Sequence, residues 1–303
     1  MYTVASAISG PVSVRGDRKI REEEVELCQP KSPLPSCRSD ILGSVRCASP
    51  DRGCGVLRGM RARRSRCSGG SWIGASALST PPTPTAPGSE TLIAKALYPY
   101  PAELVVATKG GLTRPGADRW VADCRPEHLH RACADSLRRL RLERIELYQL
   151  HAVDHRVPIE DSIGALLDLQ RDGSIHHIGV SNISERELAR ARAVATIVSV
   201  QNCYNLRDRS SDRLIDICAG AGIAFIPWYP LAAGGFATPN SRLARIAQSH
   251  GATPSQIALA WLLQRSPAML PIPGTSSIAH LEENLASASI RLSPDEFQAL
   301  ASL

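Results

Sequence analysis

The sequence predicts an α/β fold built on a parallel sheet, and two observations carry that prediction. From residue 89 onward, short apolar runs of strand length alternate with longer stretches of helical period, the pattern of repeated βα units. The chain has 303 residues and is 43% hydrophobic, which suffices for one large core, so one folded domain is expected rather than two.

In chain order the strand-like runs are LVVAT (104–108), IELYQL (145–150), IHHIGV (175–180), IVSVQ (197–201), AFIPW (224–228) and MLPI (269–272). Helices are expected between and after them at 126–140, 159–171, 184–193, 210–219, 241–264 and 279–288. Ser184, three residues before Glu187, and Ser293, before Asp295 and Glu296, are placed as N-caps. Six parallel strands alone would leave exposed sheet edges, whereas eight close into a barrel with its active site at the C-terminal strand ends. The expectation is therefore a (β/α)8 TIM barrel whose first two βα units, due before residue 100, are disrupted or absent.

Residues 1–88 read as an irregular or disordered N-terminal segment, and 89–303 as the barrel domain. The first part contains a basic run (RARRSR, 61–66), a Pro/Thr run (STPPTPTAPG, 79–88) and scattered Cys, Ser and Gly with little apolar period. Its first 70 residues hold 13 Lys/Arg and 7 Asp/Glu, which accounts for the whole formal charge of +6. Of the totals, 35 less 13 and 29 less 7 leave 22 charges of each sign beyond residue 70, a balance that argues against a nucleic-acid surface on the barrel. Cys28, Cys37, Cys47, Cys54 and Cys67 are separated by six to twelve residues, which matches no usual zinc pattern. Cys124, Cys133, Cys203 and Cys218 also lack metal-ligand spacing and are expected as reduced thiols, so no metal site is expected. No run approaches the roughly 20 apolar residues of a membrane helix, and the start MYTVASAISG has no basic flank before an apolar stretch. A soluble, cytoplasmic, monomeric protein with no membrane or nucleic-acid partner is expected.

The strings LVVATKGG (104–111), LYQLH (147–151), GVSN, VQNCYN, IPWYPL and IPGTSS follow one another at the ends of successive predicted strands. In that order they resemble the aldo-keto reductase family over about two thirds of the chain. The resemblance implies a (β/α)8 barrel that binds an extended nicotinamide dinucleotide without a Rossmann fold and reduces a small aldehyde or ketone by hydride transfer. The absence of a G-x-G-x-x-G motif fits. It also implies four catalytic residues, of which two have matches. Lys109 matches the lysine, whose ammonium beside a phenol lowers the phenol pKa toward working pH. His151 matches the histidine that hydrogen-bonds the substrate carbonyl.

For the cofactor, Ser181, Asn182 and Gln201 match the residues that hydrogen-bond the nicotinamide carboxamide, and an amide at a strand end suits that role. Trp228 matches the aromatic that stacks under the nicotinamide ring, more often Tyr in the family, and Leu231 follows it in the same motif. IPGTSSIAHLEEN (272–284) resembles the loop and helix start that hold the adenosine phosphate. Many members carry Lys and Arg there, whereas this chain has Gly274 and His280, leaving Thr275, Ser276, backbone and His280 as contacts. NADPH is the favoured cofactor, with NADH open. Glu283 and Asn284 match adenine contacts and would equally serve as surface residues of a helix.

The remaining two catalytic residues, an Asp and a Tyr, should lie before Ser89 in something like IDTADSYGPG, where the chain reads LSTPPTPTAPG. With TCN serine codons, joining the last base of each codon from Ser79 onward to the first two of the next permits Asp, Thr, Ala, Asp, Ser or Ala, Tyr, Gly and Pro. A shifted reading frame over this stretch, natural or a sequencing error, is the reading adopted. The chain as written then lacks the catalytic Tyr and Asp, and the alternative from another class is a non-catalytic NADP-binding sensor or structural protein.

Overall fold

The computed structural model describes residues 2–7, 43–45, 70–75 and 88–303, except for 103, 117–118, 233–235, 237–240 and 276. In chain order the elements are β1 (Tyr2–Ala7), β2 (Gly43–Val45), β3 (Gly70–Ala75), α1 (Ser89–Leu97), β4 (Leu104–Gly110), β5 (Leu112–Gly116), β6 (Arg119–Ala122), α2 (Pro126–Leu140) and β7 (Ile145–Leu150). There follow α3 (Ile159–Arg171), β8 (Ile175–Ser181), α4 (Glu185–Val194), β9 (Ile197–Gln201), α5 (Asp212–Gly220) and β10 (Ala224–Phe225). The chain ends with α6 (Arg242–Ser249), α7 (Pro254–Arg265), β11 (Gly274–Thr275), α8 (Ile278–Ala286), a 3-10 turn (Ser287–Ser289) and α9 (Pro294–Ala301).

Strands β4, β7, β8, β9 and β10 lie side by side, and every pairing among them is parallel. Each is joined to the next through a helix, the right solution for parallel neighbours, whose connection must run back along the sheet. β3 adds parallel to β4, and β1 joins β3 and β2 antiparallel. The sequence showed no strand in 1–88; its described stretches 2–7, 43–45 and 70–75 are strands, and the Pro/Thr run at 79–87, the N-terminal cysteines and the basic run lie outside the described residues.

Several expected elements need correction. The apolar run 269–272 forms no strand: Met269 makes one parallel bridge to Phe225, and β11 begins only at Gly274. Pro271 and Pro273 have no N–H to donate, so a regular ladder is interrupted there. The run 224–228 is strand only over Ala224–Phe225, with Pro227 beyond, although Ile226 and Trp228 still donate to Val200 and Asn202 carbonyls. The helix expected over 241–264 is two. Gly251 at φ 58°, in the left-handed region that favours glycine, ends the turn after α6, and Thr253 with Pro254 at the first helical position starts α7 in a capping box with Gln256. The capping boxes at Ser184 with Glu187 and Ser293 with Glu296 both form.

The two sides of the sheet can be told apart by partners. Thr108 donates to Glu90 at the start of α1 (2.6 Å), and Glu90 accepts from Arg139 of α2 (2.6 Å), so the alternate residues Thr108 and Tyr148, paired in register, face the helices. On the other side Gln149 donates to Ser199 (3.1 Å) across Gly179, which leaves room by lacking a side chain. Gln149 pairs in register with Lys109 and Gly179, and Gly179 with Ser199, so Lys109, Gln149, Gly179 and Ser199 share the inner face. Two residues further on, His151, Ser181 and Gln201 follow on that same face.

Candidate active site at the strand ends

The inner face ends in a cluster of polar groups where β4, β7, β8 and β9 stop. Lys109 is buried at 7% exposure, and no ion pair or hydrogen bond reaches its ammonium among the described residues. Burial alone pushes its pKa down to about 8, since a desolvated ammonium is costly. His151 directly follows β7, its backbone N–H bonded to the Gly110 carbonyl at 2.8 Å. Burial, and then the charge of Lys109, lower its imidazole pKa to about 3, so the ring is neutral throughout the neutral range. Its Nδ1 is buried without a partner among the described residues.

Beyond β8 the chain turns at Asn182 in the left-handed region, φ 54°, which Asn tolerates better than most residues. Its amide nitrogen donates to the His151 carbonyl (2.9 Å) and to Ser181 Oγ (3.3 Å), while its amide oxygen accepts from the indole N–H of Trp228 (2.9 Å). Ser181 Oγ in turn donates to the Gln201 carbonyl (2.7 Å). These bonds tie the ends of β7, β8 and β9 and the segment after β10 into one rim. The Gln201 side-chain amide, 7% exposed, has no partner among the described residues. Trp228 is half-buried, and Leu231 packs partly against the core just after it.

A second group lies on β11 and the start of α8. Gly274 is exposed and Thr275 buried, its hydroxyl engaged with the Ser277 backbone. Ser277 caps α8 by accepting from the His280 N–H, and His280 and Glu283 are exposed. Asn284 is buried at 5% exposure, which removes the surface-residue alternative open for it beside the adenine-contact match; Ser276 lies outside the described residues.

Three residues of the rim and floor escaped the sequence reading. Gln149 and Ser199 form the inner pair across Gly179, and Asn202 exchanges bonds with the Ile183 backbone in both directions (3.1 and 2.8 Å). The available signal was a polar residue inside an otherwise apolar strand, with a glycine on the strand between. Between β4 and α2, β5 and β6 pair antiparallel, with the Arg114 guanidinium 5.0 Å from the centre of the exposed Trp120 ring.

The donor set fits a nicotinamide dinucleotide: a half-buried indole face for an apolar ring, an amide with no partner among the described residues for its carboxamide, and a helix start for phosphate. Residues 86–303 match the aldo/keto reductase family model. The chain belongs to the aldo/keto reductase family. It is 45% identical over 217 residues to pyridoxine 4-dehydrogenase of Escherichia coli, covering 69% of this chain and 75% of that enzyme. An uncharacterised oxidoreductase of Schizosaccharomyces pombe is 44% identical over 212 residues, 70% of this chain and 69% of the relative. Among solved structures, a thermostable aldo-keto reductase in complex with the inhibitor epalrestat superposes with a TM-score of 0.63 at 32% identity, over 70% of this chain and 76% of that one. An aldo-keto reductase from Klebsiella pneumoniae in complex with NADPH gives 0.61 at 26% identity, over 71% and 75%. By family the chain is an oxidoreductase, and nicotinamide-dependent carbonyl reduction is the family's general chemistry. Among the described residues no helix is long and apolar enough to cross a membrane, and no group of His, Cys, Asp and Glu could hold a metal.

Proposed function

We propose that this chain carries the cofactor cradle and the lysine–histidine half of an NAD(P)H-dependent aldehyde or ketone reductase, and that a shifted reading frame over 79–88 has displaced the acid half. The observation that carries the proposal is the inner-face placement of Lys109 beside His151, with Ser181, Asn182, Gln201 and Trp228 around the same strand ends. When bound, the nicotinamide supplies the hydride. The chain's own residues do the rest: Trp228 offers its face to the ring, Gln201, Ser181 and Asn182 meet the carboxamide, and neutral His151 donates to the substrate carbonyl oxygen. Leu231 lines the ring site, while Gly274, Thr275, His280, Glu283 and Asn284 form the adenosine end.

NADPH is the proposed cofactor, supported by the NADPH complex of a solved relative, and NADH is its competitor because Gly274 and His280 replace two cations. The substrate is a small carbonyl compound, and the protein acts as a cytoplasmic monomer. The fold is a (β/α)8 barrel whose first two βα units are disrupted, a reading supported by the segment after α7, which bridges Phe225 through Met269 and reaches β2 through Gly274 and Thr275, and by the antiparallel β1 standing where a parallel strand is due.

One observation favours the non-catalytic reading for the chain as written. Tyr100 donates to the Leu140 carbonyl, Tyr148 faces the helices and Tyr204 donates to Asp212, so these three phenols are committed elsewhere than Lys109. Loss of a general acid costs about 10²- to 10⁴-fold in rate. Fluorescence titration with NADPH and NADH, followed by turnover of a broad aldehyde, tests both halves. Binding with turnover depressed by that factor is expected. Full turnover would refute the missing acid, and no binding would refute the cradle. Resequencing that returned the same intact frame through 79–88 would remove the sequencing-error version of the frame proposal.

A further inference from the structure

Lysine is scarce in this chain. Lys19, Lys31, Lys95 and Lys109 are the four lysines among its 35 Lys and Arg residues. Arginine stays charged at any working pH, so a cationic side chain able to shed its proton and act as a nucleophile is rare here. Lys19 and Lys31 lie outside the described residues, and Lys95 is exposed on α1. Lys109 is the buried one, on the inner face at the end of β4 and in register with Gln149.

A buried ammonium calls for a carboxylate or a phenolate, and none reaches Lys109 among the described residues. Glu90 lies on the helix side of the sheet, where Thr108 and Arg139 hold it. Asp154 is paired with Arg156, while Tyr100, Tyr148 and Tyr204 are directed elsewhere. Desolvation without a compensating charge favours the free amine, so the buried side chain holds more of that form near neutral pH than an exposed lysine would. His151 lies two residues beyond Gln149 on the same face, neutral and with Nδ1 unpartnered among the described residues.

We propose that Lys109 is a covalent aldehyde site, whose amine adds to a small aldehyde at the strand ends and forms an imine. The nitrogen lone pair attacks the carbonyl carbon, and the carbonyl oxygen takes one proton from the nitrogen. The hydroxyl so formed then leaves as water with the remaining N–H proton as the C=N bond forms. No oxidant or reductant is consumed, and hydrolysis reverses the step. His151, donating to the carbonyl oxygen, polarises the carbon toward attack. This rests on the small-carbonyl site without an acid phenol proposed above and goes beyond it, since the lysine of that site only tunes a phenol and never bonds to substrate.

The test is reductive trapping of the full chain with propanal and sodium cyanoborohydride at pH about 7, the propyl groups being located by peptide mass mapping. An amine pKa of about 8 in place of 10.4 raises the free-amine fraction at that pH by roughly two hundredfold, and weaker nucleophilicity gives part of this back. Lys109 is therefore expected to be labelled at least about tenfold faster than Lys95, a preference that vanishes in denaturing urea. Lys109→Arg, which keeps the charge, should leave only the slow labelling of the other lysines.

Equal labelling of Lys95 and Lys109 in the folded chain, or labelling of Lys95 alone, would overturn the proposal. Fluorescence titration with NADPH and aldehyde turnover on the same sample separate the two failures. A chain that binds NADPH with depressed turnover yet leaves Lys109 unlabelled overturns the imine alone. One that turns over aldehyde at full rate has a phenol beside Lys109, which removes the underlying site assignment and the imine with it.

Discussion

Lys109 shows what a functional position costs the fold. An unfolded lysine titrates near 10.4 and the buried one at about 8, so between those values the unfolded chain binds the extra proton and stability rises with pH. Below pH 8 the folded protein carries a buried ammonium with no carboxylate beside it among the described residues. Lys109→Met should therefore raise stability at pH 7, by about 3 kcal/mol at the conversion of 1.36 kcal/mol per pKa unit, and the gain should shrink by pH 10. Urea melts of both chains at the two pH values measure it; an equal difference at both would show that Lys109 is not desolvated as described. His151, lowered to about 3 against an unfolded value near 6.5, adds a second dependence: below about pH 6.5 the unfolded chain takes up the proton first, and stability falls as the pH drops toward 3. At this scale the sequence was informative wherever a polar residue ended an apolar strand, as with Lys109, His151 and Gln201. It was silent on Asn202 and on the Trp228–Asn182 bond, because hydrogen-bond partners 46 positions apart leave no local trace.

Elements were legible in proportion to their local signal. Helices Pro126–Leu140 and Ile159–Arg171 have the bounds that period and punctuation gave them. The single long helix expected over 241–264 overlooked Gly251 and the Thr253–Pro254 start, which are local signals too. Packing between β4 and β7 yields a test of its own. Tyr148 is fully buried, its hydroxyl has no partner among the described residues, and it lies against Gly110, where an added Cβ would collide with that hydroxyl. Tyr148→Phe is expected to be neutral or stabilising, because a buried polar group without a partner costs about 1–3 kcal/mol. Gly110→Ala should cost about 1–3 kcal/mol by overpacking, and Tyr148→Phe should relieve part of that loss. Denaturant midpoints of the three variants decide it; a destabilised Tyr148→Phe would mean that the hydroxyl has a partner.

For the whole molecule, stability should be unevenly spread. β7 and β8 are each flanked by parallel strands and share their inner and outer faces with neighbours, whereas β10 and β11 contribute two residues each. Hydrogen exchange should find the amides of β7 and β8 opening only with global unfolding, and those of Phe225 and Thr275 opening locally and faster. Equal protection throughout would indicate a sheet closed more tightly than two-residue pairings provide.

The alternation of strand and helix, the helix caps and the residue types at the strand ends were determined by the sequence alone, because each depends on neighbours within a turn or a pleat. The family was legible for the same reason, in short strings at successive strand ends. Which face those residues share, the neutral state of His151, the lowered pKa of Lys109 and the orientation of the Asn182 amide were decided only by tertiary structure. Each depends on burial and on partners brought together from distant strands, and neither dielectric nor a long-range hydrogen bond is written in local sequence.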